Sequence, residues 1–385
     1  MRTYCIFSAH YLPHLGGVER YTYNLALHLT AKGNKVIVVT SNTYSLADVE
    51  VVEGIKIYRL PCVNLLDGRF PIVKMSRKFL NINKKLYDEN IDFVIVNTRF
   101  YIHSLYGVRF SKKINVKGII IEHGTDHFTV NNPFLDKLGH LYEHIITGLI
   151  KVYEAPLYGV STACNNWLKH FKIKAEGVLH NAVNLKEISK ITENPPTHYR
   201  SKYNIKETDI VICFSGRLIK EKGITKLFEA LNILKKSENS VYLFVAGDGN
   251  LMEYLKEIVS FAPTNIILLG QIDFPHIISL YNQSDIFCLP TDFAEGFPTT
   301  VIEAAACNCY CITTTRGGSM ELIMDDSYGK IIHDNTPENI AEAIKNAITN
   351  NSYRLAAAEK AHKRAIENFN WEVVTEKVVE VFELK

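Results

Sequence analysis

The chain has 385 residues, of which 47% are hydrophobic and 22% are charged, and its formal net charge is +2. This length favours two α/β domains over one, and the composition excludes a disordered or fibrous chain. No apolar run approaches the roughly 18 residues that a membrane-spanning helix needs, and the run Tyr4–Ala9 is too short for the core of a secretory signal.

Short β-rich runs alternate with helical patterns through most of the chain, which predicts parallel sheets with helices on both faces. In the first half the predicted strands are Tyr4–Ser8, Lys35–Ser41, Ile55–Leu60, Phe93–Asn97, Gly118–Glu122, Tyr158–Ser161 and Gly177–Leu179. In the second half they are Asp209–Phe214, Val241–Ala246, Ile266–Leu269, Ile286–Leu289 and Tyr310–Thr313. Helical patterns lie between the strands, and three more end the chain.

Residues 191–198 interrupt this alternation, because Pro195 and Pro196 favour an extended backbone. We therefore predict a first Rossmann-like domain over residues 1–190, a linker over 191–205 and a second Rossmann-like domain over 206–370. Ligands of doubly wound sheets bind at the carboxyl ends of the strands. Two such domains facing each other predict a substrate site in an interdomain cleft.

The first strand-to-helix turn contains Gly16 and Gly17, which let the backbone approach a ligand and open a helix whose N-terminus attracts anions. The turn is not G-x-G-x-x-G, and no acidic residue follows the second strand at the spacing that NAD-binding proteins use. A dehydrogenase is therefore not favoured. A simple tight turn remains an alternative interpretation of the glycine pair.

The predicted second domain opens with a strand followed by Gly216, Arg217, Lys220 and Lys222. A guanidinium and an ammonium group in a loop at a strand's carboxyl end can hold a diphosphate and stabilise the charge on a departing nucleoside diphosphate. A solvated basic loop is the alternative, and it suits Lys220 better than Arg217 or Lys222.

The segment Glu295-Gly-Phe-Pro-Thr-Thr-Val-Ile-Glu303 follows a buried strand and leads into an alanine-rich helix. Glu295 therefore falls in a strand-to-helix loop, and Glu303 lies about two turns into the helix. Free amides at the helix start can hold an anion. A carboxylate, anion-binding amides and a second carboxylate in this order suit the sugar, diphosphate and ribose of a sugar nucleotide. A capped helix with two solvated glutamates is the alternative.

Two further strand ends carry candidate residues. His123 ends the strand Gly118–Glu122 beside Gly124, which aims its side chain at a ligand site, although most lone histidines are structural. Asp248 lies between two glycines and suggests a metal ligand only weakly, because no Asp-x-Asp pair occurs in the chain. We therefore predict no metal and no bound cofactor.

Taken together, these segments resemble the retaining GT-B glycosyltransferases of family 4, also called glycosyl transferases group 1, over essentially the whole chain. The segments are Gly16–Glu19, His123-Gly124, Val178–Asn184, Gly216–Gly223, Gly247–Gly249, Glu295–Glu303 and Gly317-Gly318. One departure occurs at His180–Asn184, where relatives commonly have Pro-Asn-Gly-Val-Asp.

The resemblance implies a GT-B fold and a role for each candidate residue. Arg217 and Lys222, beside Gly216, would hold the donor diphosphate, Glu303 the ribose, and Glu295 would lie near the transferred sugar. The backbone of Phe297, Pro298, Thr299 and Thr300 would contact sugar and phosphate, and Gly270 and Gln271 the base. His123 would bind the sugar near the reacting carbon, Gly16 and Gly17 would close the site from the first domain, and the helix in 371–385 would pack back on that domain.

The resemblance implies a metal-independent hexosyltransferase that moves a hexose or N-acetylhexosamine from a nucleotide sugar to a glycan or lipid-linked saccharide. The donor is expected to be a UDP-sugar rather than a GDP-sugar, and the setting to be bacterial surface polysaccharide synthesis. The alternatives are a GT-B sugar-nucleotide epimerase or phosphorylase and a non-catalytic subunit that binds sugar nucleotides. Nothing in the chain predicts a nucleic-acid partner.

Charge and cysteine patterns bear on location. Residues 1–190 hold 24 Lys and Arg against 15 Asp and Glu, a net +9, whereas residues 191–385 have a net charge of −7. The basic, partly apolar segment Arg69–Lys85 can bind an anionic membrane surface or can form an ordinary amphipathic helix.

The eight cysteines lack the spacing of a disulfide or zinc framework, which favours free thiols in a reducing cytoplasm. We expect a cytoplasmic protein and leave open a peripheral position on the inner face of the plasma membrane.

Overall fold

The computed structural model describes residues 1–14, 16–66, 68–130, 132–234, 241–261 and 265–383. The strands are β1 Thr3–Phe7, β2 Lys35–Ser41, β3 Val49–Val52, β4 Ile55–Leu60, β5 Cys62–Leu65, β6 Phe70–Val73, β7 Phe93–Asn97, β8 Lys117–Glu122, β9 Leu157–Gly159, β10 Gly177–Val178, β11 Ile210–Ser215, β12 Val241–Ala246, β13 Ile266–Gly270, β14 Ile286–Leu289, β15 Tyr310–Thr314 and β16 Lys330–Ile332. The α-helices are α1 Gly17–Ala31, α2 Arg77–Tyr87, α3 Ile102–Lys113, α4 Pro133–Lys151, α5 Thr162–Leu168, α6 Leu185–Glu193, α7 Tyr199–Lys202, α8 Ile224–Leu234, α9 Met252–Phe261, α10 Phe274–Asn282, α11 Thr299–Ala306, α12 Ser319–Leu322, α13 Pro337–Thr349, α14 Asn351–Asn368 and α15 Trp371–Glu383.

The chain forms two compact units, one of residues 1–181 and 371–385 and one of residues 182–370. The sheet of the first unit has the strand order β10-β9-β8-β7-β1-β2-β4-β3, and its pairs are parallel except for β3 with β4. The sheet of the second unit has the order β13-β12-β11-β14-β15-β16 and is parallel throughout. Both are doubly wound sheets, as the alternating pattern predicts.

The strand order fixes where ligands can bind. In each sheet the chain first adds strands on one side of its first strand and then on the other side, and the switch falls between β1 and β7 in the first unit and between β11 and β14 in the second. Loops that leave neighbouring strands at such a switch point diverge to opposite faces and leave a crevice at the carboxyl ends of the strands. The loop from β11 to α8 and the loop from β14 to α11 are therefore the expected ligand-binding loops of the second unit.

Apolar strands explain the core of each unit. In the first unit, Phe7, Val39 and Val96 are fully buried and belong to one cluster with side chains of α2 and α3. The C-terminal helix α15 joins this unit through aromatic contacts: Phe382 stacks on Phe93 with 4.6 Å between ring centroids, and Trp371 lies 5.1 Å from Tyr21. Residues 384 and 385, which belong to the predicted segment 371–385, lie outside the described residues.

The structure differs from the predicted linker over residues 191–205. Asn184 caps α6 by accepting a hydrogen bond from the amide of Glu187, and α6 packs against α10. Farther on, the Arg200 guanidinium lies 2.7 Å from the Asp285 carboxylate. The second unit therefore begins at Ala182 rather than at residue 206. The proline pair interrupts regular structure only between α6 and α7 and does not separate two domains.

The basic segment Arg69–Lys85 forms strand β6 and helix α2 in the structure. Helix α2 buries Phe79 and Ile82 against the core, whereas Met75 and Leu80 are exposed. This is the geometry of an ordinary amphipathic helix. Among the described helices, none has the length and apolar character that crossing a bilayer requires.

Candidate active site

Two loops at the switch point of the second unit carry Arg217, Lys222 and Glu295. The Lys222 ammonium forms a close ion pair with the Glu295 carboxylate, and the two side chains are only 12% and 15% exposed. The Arg217 guanidinium and the Lys222 ammonium lie 4.8 and 5.2 Å from the centre of the Phe293 ring. The two predicted diphosphate-binding residues therefore share one aromatic ring, and the predicted sugar-binding residue Glu295 is paired with one of them. Arg217 and Lys220 are both exposed, whereas Lys222 is partly buried; of the two exposed residues, only Arg217 contacts the Phe293 ring.

Backbone contacts hold these two loops together. The carbonyl oxygen of Glu221 accepts hydrogen bonds from the amides of Asp292, at 2.7 Å, and Phe293, at 3.0 Å. Gly223 ends the short 3₁₀ turn Lys220–Lys222 in the left-handed region at φ +76°, and a Cβ there would lie 2.0 Å from the carbonyl oxygen of Pro290. A glycine is therefore required where the Lys222 turn packs against the Glu295 loop.

A third loop supports Glu295 from the other side. The amide of Gly318 donates to the carbonyl oxygen of Gly296 at 2.9 Å. Gly317 has φ +64°, and a Cβ there would lie 2.5 Å from the carbonyl oxygen of Glu295. The glycine pair after β15 thus lets two backbones meet and fixes the position of the Glu295 loop.

Helix α11 begins directly behind this loop. Its N-cap residue is Pro298, which makes no side-chain cap, so hydrogen-bond donors of the first turn at Thr299 and Thr300 are not used by a capping side chain. Such amides, together with the helix dipole, favour an anion. Phe297 is buried beneath the loop, and Glu303 is 6% exposed on the same helix. The structure therefore places the four backbone positions and Glu303 next to one another along one short segment.

At the carboxyl ends of β11, β12 and β13, neighbouring backbones contact one another through glycines. The Gly216 amide donates to the Ala246 carbonyl at 3.0 Å, and the Gly247 amide donates to the Gly270 carbonyl at 2.8 Å. A Cβ on Gly247 would lie 1.9 Å from the Gly216 carbonyl oxygen. Gly270 itself has open space around its Cα, and Gln271 is exposed. This arrangement leaves backbone accessible at 270–271, as a ligand base would require.

In the first unit, His123 is held by a chain of hydrogen bonds. Its Nε2 lies 3.0 Å from the Asn97 side-chain oxygen, and the Asn97 amide nitrogen donates to the Thr22 hydroxyl at 2.7 Å. Because the side-chain nitrogen of Asn97 donates to Thr22, the side-chain oxygen is the atom that faces the His123 ring. An oxygen can only accept a hydrogen bond, so we assign the ring hydrogen to Nε2. Burial lowers the pKa of His123 to about 3, so the ring is neutral at physiological pH.

A buried ionic group holds the loop that follows His123. Glu122 accepts hydrogen bonds from the amides of His123 and Gly124 through one oxygen, and its other oxygen lies 3.1 Å from the Arg99 Nε. Arg99 also donates to Glu143, whose second oxygen accepts from the amide of Phe128 at 2.7 Å. Burial raises the pKa of Glu122, while Arg99 opposes that shift. The group fixes the backbone on both sides of the loop.

The turn at Gly16 and Gly17 opens onto a cavity in the same unit. The Gly16 amide donates to the Glu19 carboxylate at 2.9 Å, and a Cβ on Gly17 would meet nothing within 4 Å. Glu19 and His123 line a cavity of about 180 Å³. Glu19 also lines a neighbouring cavity of about 560 Å³ together with Arg69. The first unit therefore has room for a saccharide beside His123.

One group of side chains in the described residues could share a metal ion. The nitrogen atoms of His127, His144 and His170 lie within 4.8 Å of one another, and His127 Nδ1 lies 3.0 Å from Glu143, a common orienting contact of a metal-binding histidine. The group belongs to the first unit, whereas Arg217 and Lys222 belong to the second.

Several residues of this arrangement escaped sequence reasoning. Phe293, Asn97, Arg99 and Glu143 have no local motif, because their partners lie far along the chain. The only signal for Arg99 is its position just after the strand β7, where charged residues are as often solvated as buried.

The fold and the two glycine-supported loops define a two-domain glycosyltransferase, and comparison with known proteins agrees. The family model described as "Glycosyltransferase Family 4" matches residues 15–187, and the model described as "Glycosyl transferases group 1" matches residues 197–364. The chain belongs to the family 4, or group 1, glycosyltransferases and has the GT-B fold of two Rossmann-like domains.

Individual relatives match the chain over its length. An uncharacterised glycosyltransferase of Methanocaldococcus jannaschii is 28% identical, with 98% of this chain and 97% of the relative covered. The GPI3 subunit of the Saccharomyces cerevisiae phosphatidylinositol N-acetylglucosaminyltransferase is 24% identical, with 97% and 80% covered. Among solved structures, HepE of Anabaena in complex with UDP-glucose matches with a TM-score of 0.73 at 16% identity, and both chains are fully covered.

Proposed function

We propose that this glycosyltransferase moves a hexose or N-acetylhexosamine from a UDP-sugar to a lipid-linked saccharide or glycan, with retention of anomeric configuration. The proposed setting is bacterial surface polysaccharide synthesis. One observation carries the donor part: on the two loops that flank the switch point of the second sheet, Arg217 and Lys222 both contact Phe293, and Lys222 pairs with Glu295.

The chemistry of the donor matches this arrangement. Transfer passes through an oxocarbenium-like transition state while negative charge grows on the departing diphosphate. Arg217 and Lys222 would stabilise that charge, as would the amides at the start of α11. A carboxylate paired with Lys222 lies next to the phosphate position, which is where the sugar of a nucleotide sugar begins. Glu303, one helix turn farther, would accept hydrogen bonds from the ribose hydroxyls.

The acceptor part rests on the first unit. With the hydrogen on Nε2, His123 presents Nδ1 as an acceptor for a sugar hydroxyl. The open space at Gly17 and the cavities beside Glu19 would admit the saccharide. His123 would bind and orient the sugar rather than transfer a proton, because a pKa of about 3 keeps the ring neutral.

The names of relatives support the substrate classes without establishing them for this chain. The yeast relative is named for transfer of N-acetylglucosamine to phosphatidylinositol, which is a lipid acceptor, and the Anabaena structure holds UDP-glucose. These names favour a uridine nucleotide and an acceptor that carries a lipid.

We also propose that transfer needs no metal ion. Arg217 and Lys222 supply the positive charge that a divalent cation supplies in other enzymes.

A cytoplasmic location fits the free thiols, since all eight cysteines are unpaired and seven of them are buried.

Product analysis tests the proposed function. Purified protein, radiolabelled UDP-sugars, membrane lipid extract and EDTA are incubated together, and the products are separated by mass and by phase. We expect free UDP and a lipid product extended by one sugar, with loss of both in Arg217→Ala. A changed sugar without acceptor would indicate an epimerase, and a sugar phosphate formed with inorganic phosphate would indicate a phosphorylase. No reaction with any donor would contradict the proposal, and NMR of the new linkage tests retention.

A further inference from the structure

Helix α4 carries an exposed apolar stripe along one face. Its members recur at spacings of three and four residues, so they align on one side of the helix. They are between 47% and 76% exposed and comprise Phe134, Leu138, Leu141, Ile145, Leu149 and, just beyond the helix, Val152. The opposite face buries Glu143, Ile146 and Ile150. The helix therefore packs on the unit through its other face, and the exposed stripe does not contribute to that packing.

An apolar groove runs along one edge of this stripe. It has a volume of about 240 Å³, and its lining is almost entirely apolar. Leu135 and Tyr142 of α4 form one wall, and Phe70, Phe100 and Phe128 form the other. The Phe70 and Tyr142 rings touch edge to face with 5.3 Å between centroids. Such a groove suits a hydrocarbon chain rather than a saccharide, which needs polar partners.

The groove adjoins the cavities assigned to the acceptor saccharide. Phe100 also lines the cavity that contains His123, and Phe128 also lines the larger cavity that contains Glu19. A molecule with a hydrocarbon chain in the groove would thus reach the polar cavities with its head group.

The other edge of the stripe is basic. Lys137, His144 and Lys151 follow one another at seven-residue spacing, which places them along one line of the helix. The two acidic residues of α4 are occupied elsewhere: Asp136 accepts hydrogen bonds from Thr129 and Val130, and Glu143 is buried with Arg99. The cations of this line are the two lysines: the Lys137 stem can extend along the stripe, and the Lys151 ammonium donates to the carbonyl oxygens of Phe171 and Lys172. An apolar face bordered by lysines complements an anionic lipid surface.

We propose that the α4 stripe docks the enzyme on an anionic membrane and that the groove takes the hydrocarbon chain of the lipid that carries the acceptor saccharide. This proposal rests on the proposed function for the identity of the saccharide. It moves the membrane contact from the segment Arg69–Lys85, in which Phe79 and Ile82 are buried and only Met75 and Leu80 are exposed large apolar residues, to α4, where six such residues form one stripe.

Vesicle flotation tests the stripe without donor or acceptor. The full-length protein is mixed with vesicles of phosphatidylcholine alone or with phosphatidylglycerol, at low and high salt. We expect binding only to the anionic vesicles, weakened by salt, and at least about tenfold weaker binding for the double variant Leu141→Glu and Ile145→Glu. Leu80→Glu is the matched control, because Leu80 is 61% exposed on α2 and lies outside the stripe.

Three outcomes would overturn the stripe proposal. The first is equal binding by the double variant and the wild type. The second is loss of binding in Leu80→Glu alone. The third is that the wild type binds no vesicles but forms a concentration-dependent dimer, and that the double variant is monomeric. The stripe would then be a contact between two copies of the chain. Thermal melting of each variant checks that it is folded.

A second measurement tests the groove. Gly139 lines it, and a Cβ there would approach only the Phe128 carbonyl oxygen at 4.0 Å, so Gly139→Phe can fill the groove from the helix. Calorimetry with dodecyl glucoside below its micelle concentration, compared with glucose, measures chain binding directly. We expect binding of the alkyl glucoside to weaken about tenfold or more in Gly139→Phe and to persist in Arg217→Ala. No binding by the wild type, or equal binding by Gly139→Phe, would overturn the groove.

Discussion

Lys222 and Glu295 form an ion pair at the point where a diphosphate and a sugar would meet. Because both side chains are largely buried, each charge depends on its partner or on a ligand for compensation. A bound diphosphate would compete with Glu295 for the ammonium group. The carboxylate would then be released towards the sugar, where it can stabilise the developing positive charge.

Glu295→Gln tests this role. The amide keeps the size of the side chain but loses the charge, so we expect kcat to fall by about 10²-fold or more while UDP binding persists. Steady-state kinetics and calorimetry measure the two effects. Asp292→Asn on the same loop is the control, since Asp292 is exposed and pairs with Lys226 rather than Lys222. An unchanged kcat in Glu295→Gln would contradict the role, and measurable residual transfer would argue against an obligatory covalent intermediate on Glu295.

His123 and Asn97 make a pH prediction possible. A carboxylate at position 97 would stabilise the protonated ring, so Asn97→Asp should raise the pKa of His123 well above its value of about 3. We expect kcat/KM of this variant to fall as the pH is lowered through the raised pKa, because protonation removes the acceptor at Nδ1.

The control for this prediction is Asn97→Leu, which removes the contact without adding a charge and should lower kcat/KM equally at every pH. In the wild type, His123 should cause no pH dependence between about pH 5 and 8. A titration step near neutral pH that disappears in His123→Ala would contradict the assigned neutral ring.

At the scale of single residues, a position after a strand inside a motif was enough to select Arg217, Lys222 and Glu295 as candidates, and the resemblance joined them into one site. The structure pairs Lys222 with Glu295 and places Arg217 and Lys222 beside Phe293, while the roles of the three residues stay predictions. Arg99 could not be predicted, because it needs two carboxylates from distant elements. Phe293 could not be predicted either, because the sequence around an aromatic loop residue does not show which cations will contact its ring in the fold.

At the scale of elements, three loops behave as one assembly. The Glu295 loop contacts both the Lys222 turn and the Gly317-Gly318 turn through backbone atoms. The fit of the three loops therefore depends on the absence of a Cβ at Gly223 and at Gly317. This explains why glycine recurs at the ends of these strands. It also predicts that a single added methyl group will disturb several site residues at once.

Gly223→Ala tests the assembly. Its Cβ would meet the Pro290 carbonyl oxygen at 2.0 Å, in addition to the strain of φ +76°. We expect the free energy of unfolding to fall by about 2–4 kcal/mol, and the KM for the donor to rise. Gly270→Ala provides the comparison, since Gly270 has a similar φ of +69° with nothing within 4 Å. Urea unfolding should show a loss of only about 1 kcal/mol for this second variant. Equal losses would mean that backbone packing at Gly223 is unimportant.

Element boundaries show where pattern reasoning ends. Most parallel strands were predictable because buried parallel strands are short apolar runs between turn residues, whereas β3, β5, β6 and β16, which are less buried, were not predicted. The start of the second unit was not, since α6 is a short helix whose role depends on its packing against α10. A proline pair signals an interruption of helix and strand, but it does not distinguish a loop within a domain from a linker between domains.

At the scale of the whole molecule, charge is divided between the units. With α15 counted in the first unit, that unit holds 24 basic and 18 acidic residues, a net +6, and the second unit has a net charge of −4. The proposed donor is an anion, yet it would bind to the negatively charged unit. General attraction therefore cannot account for donor binding, and the local cations Arg217 and Lys222 must supply it.

Isothermal titration of UDP into the purified full-length protein tests this account most directly. Each charge-assisted hydrogen bond contributes about 1.5–3 kcal/mol, so Arg217→Ala and Lys222→Ala should each weaken binding by about ten- to a hundredfold. Lys220→Ala, which removes an exposed charge three residues from Arg217, should bind UDP as the wild type does. Equal affinity in all four proteins, or an equal loss in all three variants, would contradict a diphosphate site built from Arg217 and Lys222.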